Sequence, residues 1–172
     1  YDVVDIEAGM SALAAAIRNG EVPPHLRNRR VVELPFHRVL AGARQAGDFE
    51  RVTFMALREA ACRDDVVLFL NQIPSFMGAG AGAKGLFDAS YAIEMACHQP
   101  GLFLVGSATP GQYREAVAAS PWLGSLLSRI DIPEPSREAV LGLLPDLVES
   151  LAEYHGVRID SSAVEEAIDL SN

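Results

Sequence analysis

Lysine is nearly absent from this sequence. The chain has 172 residues, and Lys84 is the one lysine among 14 basic residues, against 23 acidic ones. The formal net charge of −9 would repel a nucleic-acid backbone, so we predict no nucleic-acid partner. A small basic cluster, Arg27, Arg29 and Arg30, is more typical of a solvated loop than of a phosphate site.

Long apolar runs and cysteines are also scarce. No run approaches the ~20 residues that a membrane-spanning helix needs, so we predict no membrane association. The two cysteines, Cys62 and Cys97, lie in helix-like segments, and we expect reduced, buried thiols in a cytoplasmic protein. We predict no metal site, because the spacing of zinc ligands is missing from the four histidines, His25, His37, His98 and His155.

What the chain does contain is an alternation of strands and helices. The apolar run at residues 66–70 is typical of a strand buried on both faces, as in a parallel sheet. Apolar residues at helical spacing predict a helix within residues 47–65. Strands alternating with helices, followed by helices alone, indicate a three-layer α/β domain and then a helical subdomain. Further helices are predicted at 6–18, 87–98, 111–120, 136–156 and 161–171, and further strands at 29–35, 101–108 and 129–133.

Local signals refine three of these helices. Asp5 is the expected N-cap of the first helix. Pro145 lies near the middle of the helix at 136–156, where we expect a kink or a break. Ser162 and Glu165 have the spacing of a capping box for the last helix.

Five stretches of the chain agree with one family in order and spacing. They are NGEVPPHLRNRRVVEL, LAGARQAGDFERV, VVLFLNQIPSFMGAGAGAKGLFDAS, LVGSATPGQYREAV and IPEPSREAVLGLL. Together they resemble the first AAA+ module of the ClpA, ClpB and ClpC unfoldases. The resemblance implies a P-loop-NTPase-like α/β fold with a parallel sheet in the order 5-1-4-3-2. It also implies a large α/β domain over residues 1–134 and the beginning of a helical lid, cut short, over residues 135–172.

The resemblance places the phosphate-binding loop at the start of the chain. The family spacing puts Asp5 at a loop glycine, Ile6 at the lysine and Glu7 at the magnesium-binding hydroxyl. Carboxylates at this helix N-terminus would repel a polyphosphate. We therefore expect no cofactor, and ATP with magnesium only if this expectation is wrong.

The strand at residues 66–70 runs into two amides where active relatives carry acids. Asn71 stands for the aspartate that organises magnesium, and Gln72 stands for the glutamate that polarises the attacking water. An amide is not a usable base at neutral pH and lacks the charge that a hard cation favours. Thr109 corresponds to the sensor-1 hydroxyl. We therefore predict no catalytic residues, only remnants at these positions.

The parts that contact substrate polypeptide or a neighbouring subunit also differ from the family. In the first pore loop, Gln45 replaces the aromatic residue that grips substrate. The arginine fingers are replaced by Ser125 and Leu126, and Arg129, three residues later, is the candidate for a displaced finger. GAGAKG also fits G-x-G-x-x-G, but IPSFM separates it from the strand, which favours a second pore loop over a dinucleotide site. The residues implied for the two pore loops are Arg44, Gln45 and Gly47, and Gly80, Gly82 and Lys84.

Three functions follow from these patterns. The first is a catalytically inactive AAA+ module that serves as a scaffold, assembly or regulatory protein toward an AAA+ subunit or another domain of its own chain. The second is one inactive module of a larger Clp-type ATPase whose other module hydrolyses ATP. The third is a nucleotide sensor that binds ADP or a nucleoside without magnesium through Thr109 and backbone groups.

Overall fold

The chain divides into two compact units after Ile130. The computed structural model describes residues 6–45, 47–78, 88–133 and 136–171. The first unit contains all of the described strands, and the second is helical. The assignment of the second unit as the beginning of a lid stays a prediction.

Three parallel strands form the described sheet. They are β1 (Arg30–Glu33), β2 (Val66–Leu70) and β3 (Leu104–Gly106), in the spatial order β1-β2-β3. All five residues of the central strand β2 are buried, as its continuous apolar run predicted. These strands are the second, third and fourth of the predicted sheet, and their neighbours are those of the order 5-1-4-3-2. The first strand of that order is not among the described strands.

Helices connect the strands and pack on the sheet. Side chains alternate along each strand, so Leu68 and Leu70 face one side and Val67 and Phe69 face the other. The helices of the first unit are α1 (Ile6–Asn19), a 3-10 turn (Pro24–Leu26), α2 (Phe36–Gly42), α3 (Asp48–Ala61), α4 (Ile73–Phe76), α5 (Ser90–Cys97), α6 (Pro110–Ala119) and α7 (Trp122–Leu126). Those of the second unit are α8 (Arg137–His155) and α9 (Ser161–Ser171).

The main core lies between α3, α5 and the face of the sheet that carries Leu68 and Leu70. Three aromatic rings pack together in it. The centroid of Phe36 lies 5.6 Å from that of Phe49 and 5.3 Å from that of Phe76, and Phe49 and Phe76 are completely buried. Edge-to-face packing at these distances adds to the free energy of burial. This core holds the end of β2 in place, where the predicted site lies.

Several local predictions are wrong. Residues 129–133 form no strand, and Ile130 and Ile132 are 84% and 57% exposed. Proline at the end of this segment has no N–H to donate, and in the implied order 5-1-4-3-2 the last strand would pair with the first, which is not among the described strands. The helix α8 runs through Pro145, so the predicted break is wrong, whereas a kink there stays a prediction. Cys62 is exposed rather than buried, because it follows the last turn of α3; Cys97 is half-buried, and both thiols are free.

The predicted capping box of the last helix is also wrong. The helix α9 begins at Ser161, so Ser162 lies inside its first turn. The carbonyl of Asp160 instead accepts hydrogen bonds from the N–H groups of Ala163 and Val164.

None of the described helices is both long enough and apolar enough to cross a lipid bilayer.

Candidate functional site

The carboxyl ends of β2 and β3 place Asn71 beside Ser107. Leu70 is paired with Gly106 in the ladder, so the residues that follow them lie side by side. The Ser107 hydroxyl donates to Asn71 Oδ1 at 2.7 Å, and the backbone N–H of Gln72 donates to the Ser107 oxygen at 2.8 Å. These contacts fix the Asn71 amide with its oxygen toward Ser107.

The other end of the same amide reaches α1. Asn71 Nδ2 donates to Glu7 Oε1 at 3.0 Å. Glu7 lies in the first turn of α1, where a carboxylate interacts favourably with the helix dipole. Two positions that the resemblance assigned to one site, 64 residues apart in sequence, are therefore in direct contact. Ile6 begins α1, and Asp5 lies outside the described residues.

Gln72 adopts a backbone conformation that is uncommon for a residue with a side chain. Its φ of 55° and ψ of 60° are left-handed, and it caps the short helix α4. The next residue, Ile73, is buried and donates its N–H to the Ser107 carbonyl at 2.9 Å. Gly106 lies close against it, since a Cβ built there would come within 3.0 Å of Ile73 Cδ1. Ser107 thus holds this turn through both its hydroxyl and its backbone.

The hydroxyl of Thr109 is used within its own helix. Gln112 N–H donates to Thr109 Oγ1 at 3.3 Å, and Thr109 N–H donates to Gln112 Oε1 at 3.2 Å, which is a capping box. Besides Glu7, Asn71 contacts Ser107, a residue that the sequence did not lead us to predict. The register of β2 and β3 would have indicated this contact, because Ser107 directly follows Gly106, the residue paired with Leu70.

The residues of the first predicted pore loop are tied to the start of α3. The backbone N–H groups of Arg44 and Gln45 donate to Asp48 Oδ2 at 3.1 and 3.0 Å. These hydrogen bonds, that of Arg44 first, lower the pKa of the Asp48 carboxyl, because they stabilise its charged form. Gly47 has a φ of 90°, which favours glycine. Gly80, Gly82 and Lys84 of the second predicted pore loop lie outside the described residues.

The finger positions lie on and just after α7. Ser125 and Leu126 belong to this helix, and the Ser125 hydroxyl donates to the Trp122 carbonyl at 2.8 Å. The Arg129 guanidinium lies 5.2 Å from the centroid of the Tyr113 ring of the same unit. The structure therefore gives Arg129 a partner within its own fold.

Acidic side chains line the space beside the Glu7–Asn71 contact. A shallow groove of about 260 Å³ between α1 and the sheet is lined by Glu7 and Glu33, with Phe69 among its apolar residues. No lysine or arginine belongs to this lining in the described part of the chain. Nor do the described residues contain three or more His, Cys, Asp or Glu side chains grouped to hold a metal ion.

The fold and this edge define a class of protein. A helix N-terminus facing the end of a central parallel strand, with further helices on the sheet, is the architecture of a P-loop-NTPase-like AAA+ module. No family model matches the chain. In solved structures, the chain is similar to Hsp104 in a closed state reconstructed with ATPγS and FITC-casein. That match has a TM-score of 0.79 and 28% identity, over 95% of this chain and 28% of the Hsp104 chain.

Curated relatives specify the class further. The chain is 34% identical over 164 residues to the chaperone ClpB of Prochlorococcus marinus, which is 95% of this chain and 19% of that ClpB. It is 32% identical over 160 residues to ClpC of Staphylococcus aureus, the ATP-binding subunit of an ATP-dependent Clp protease, over 93% of this chain and 19% of ClpC. These similarities identify the chain as an AAA+ module of the Clp type. It spans less than a fifth of the length of these relatives.

Proposed function

We propose that this chain is a Clp-type AAA+ module that does not hydrolyse ATP and acts through contacts with protein partners. The observation that carries the proposal is the contact between Asn71 and Glu7. At this edge, an active relative is expected to hold magnesium and phosphate. Here an amide on the strand donates to a carboxylate on the helix.

The polar groups at this edge do not suit Mg·ATP. The Asn71 oxygen already accepts from Ser107, and its nitrogen already donates to Glu7. A triphosphate would have to approach the carboxylates of Glu7 and Glu33 with no basic group among the described residues that line the groove, which is electrostatically unfavourable. Gln72 supplies no base for the attacking water, and losing such a base lowers the rate by about 10²–10⁴.

Isothermal titration with Mg·ATP tests the binding half of this proposal. We expect only heats of dilution, with an active Clp ATPase titrated in parallel as the positive control. A phosphate-release assay tests hydrolysis, and Asn71→Ala is the matched variant. We expect the chain and this variant to give the same background rate. Micromolar binding of Mg·ATP would contradict the expected absence of binding, and turnover that Asn71→Ala abolishes would show that the module hydrolyses ATP.

The proposed role is that of a scaffold, assembly or regulatory protein. The partner would be an AAA+ subunit or another domain of the same chain, and the place of action the cytoplasm. Support comes from the Clp relatives together with the retained core around β2. Size-exclusion chromatography of the chain mixed with a Clp ATPase from the same organism tests it. We expect co-elution that does not depend on added nucleotide.

A second candidate is one inactive module of a larger Clp-type chaperone whose other module hydrolyses ATP. It is favoured by the length of the relatives, of which the chain matches 16–19%. The full reading frame around the gene distinguishes the two candidates. A second AAA+ module with a lysine-containing phosphate loop and acidic residues after the strand favours the larger chaperone.

A further inference from the structure

A second groove lies at the other end of α1 from the Glu7–Asn71 contact. It has a volume of about 470 Å³ and runs between the carboxyl-terminal half of α1 and the start of β1. Its lining combines apolar and basic residues. The apolar residues are Ala14, Ile17 and Val31, and the basic ones are Arg18, Arg29 and Arg30.

Arg29 is held in place without an acidic partner among the described residues. Its Nε donates to the His25 carbonyl at 2.8 Å and its Nη1 to the Val66 carbonyl at 3.3 Å. The guanidinium carbon lies 3.7 Å from the centroid of the Phe103 ring. No ion pair within the described residues includes Arg29. A half-buried, ordered guanidinium with spare N–H groups is well suited to bind a carboxylate.

The other two arginines of the groove differ in their partners. Arg30 forms an ion pair at 3.1 Å with Asp65, which also pairs with Arg63. Arg18 is exposed in the last turn of α1 and, like Arg29, forms no ion pair with a described residue. Two positive charges with no acidic partner in the described part of the chain therefore flank the groove, although the net charge of the chain is −9.

One wall of the groove includes residues of β1, the edge strand of the described sheet. Arg30 N–H donates to the Asp65 carbonyl and Leu34 N–H to the Phe69 carbonyl, so these residues face β2. Because the direction alternates along a strand, the N–H and C=O groups of Val31 and Glu33 face away from β2. A segment that adds to a sheet edge forms its hydrogen bonds with such groups.

We propose that this groove binds an extended acidic segment of a partner protein. The segment adds to the outer edge of β1, places an apolar side chain on Ile17 and Val31, and directs a carboxylate to Arg18 and Arg29. The apolar residues of the lining and the outward-facing backbone groups of β1 favour a peptide over a nucleic acid, which the net charge of the chain also disfavours. The inference takes from the proposed function only that the partner is a protein.

Fluorescence anisotropy with a labelled peptide of alternating aspartate and valine tests this inference on the whole chain, without nucleotide. We expect binding that weakens with salt. Two matched peptides should bind at least about tenfold more weakly. One has lysine in place of aspartate, and the other has alternate backbone amides N-methylated so that it cannot pair with an edge. Equal binding of either peptide would overturn the proposal.

Substitutions in the groove assign the site. Arg18→Gln and Arg29→Gln should each weaken peptide binding by about tenfold, whereas Arg114→Gln, on the exposed face of α6, should leave it unchanged. If circular dichroism shows that Arg29→Gln does not fold, peptide binding by Arg18→Gln, a substitution at an exposed position, still tests the proposal. Unchanged binding in folded Arg18→Gln would overturn the proposal. So would displacement of the peptide by a single-stranded oligonucleotide at equal concentration, which would indicate a general polyanion site.

Discussion

At the scale of single residues, an asparagine suits position 71 because it must both accept and donate. Ser107 donates to one end of its amide, and Glu7 accepts from the other. An aspartate could accept from Ser107, but it would turn a second carboxylate oxygen toward Glu7. The amide is therefore coupled to the acid on α1, and the two positions are expected to tolerate change only together.

This coupling predicts the effect of Asn71→Asp. We expect a loss of about 1 kcal/mol of unfolding free energy near neutral pH, because a hydrogen bond becomes a repulsion between two partly solvated carboxylates. Urea unfolding curves measure the loss. The double variant Glu7→Gln with Asn71→Asp exchanges donor and acceptor and should recover most of it. Strictly additive losses in the double variant would show that the two side chains are not coupled.

Thr53 is a second residue whose chemistry predicts a change in stability. It is completely buried in the core, and its hydroxyl has no hydrogen-bond partner in the described part of the molecule. We expect Thr53→Val to raise the unfolding free energy by about 1 kcal/mol, since it keeps the shape and removes an unpaired polar group. Thr53→Ala, the control, removes volume as well and should be less stable than Thr53→Val. A destabilised Thr53→Val would mean that the hydroxyl has a partner, such as a buried water.

At the scale of elements, the start of α3 depends on the charge of Asp48. Its carboxylate accepts from two backbone N–H groups of the preceding loop, and its pKa lies below the ordinary 3.8 as a result. Because the pKa of Asp48 is lower in the folded state, these hydrogen bonds stabilise the fold fully at pH values above the ordinary pKa. This stabilisation is lost as the pH falls through the lowered pKa of the folded state.

We therefore expect the amide resonances of Arg44 and Gln45 to move together on acidification. Nuclear magnetic resonance titration should give a midpoint below 3.8 for both, because both report the same carboxyl group. The variant Asp48→Asn, which cannot titrate at this position, should lose the transition. A midpoint at or above 3.8 would show that these hydrogen bonds do not favour the charged carboxylate.

Elements also show how far the sequence alone could predict this molecule. The strand β2 was predictable because a strand buried on both faces has a continuous apolar run in the sequence. The helix α3 was predictable because its buried residues recur at helical spacing. The helix α9 was placed correctly but its cap was not, since Asp160 and Ser162 both offer capping groups.

The candidate site was predictable only in part. The resemblance brought Glu7 and Asn71 to one place, but Ser107 required the register of two strands 36 residues apart. The groove beside Arg29 was missed because its guanidinium is ordered by His25, Val66 and Phe103, which are contacts of the folded chain. Local sequence patterns do not predict contacts between residues that are distant in sequence.

At the scale of the whole molecule, the main core belongs to one of the two units. Its buried residues run from Val39 to Leu123, and the partly buried residues packed on them run from Val32 to Leu127. The chain divides after Ile130, so the entire cluster lies before the division. The free energy of hydrophobic burial that stabilises the sheet should therefore not require the residues that follow.

A chain shortened to residues 1–130 should accordingly unfold cooperatively. We expect its midpoint within a few degrees of that of the full chain, measured by circular dichroism on heating. The control ends at Ala119 and so removes α7 with Leu123, which is 1% exposed in the core. Deleting a buried leucine of this kind costs about 2–5 kcal/mol, so this shorter chain should unfold far below the other two. If residues 1–130 instead lose cooperative unfolding, the helical unit contributes to the stability of the sheet, and the core is larger than the cluster described here.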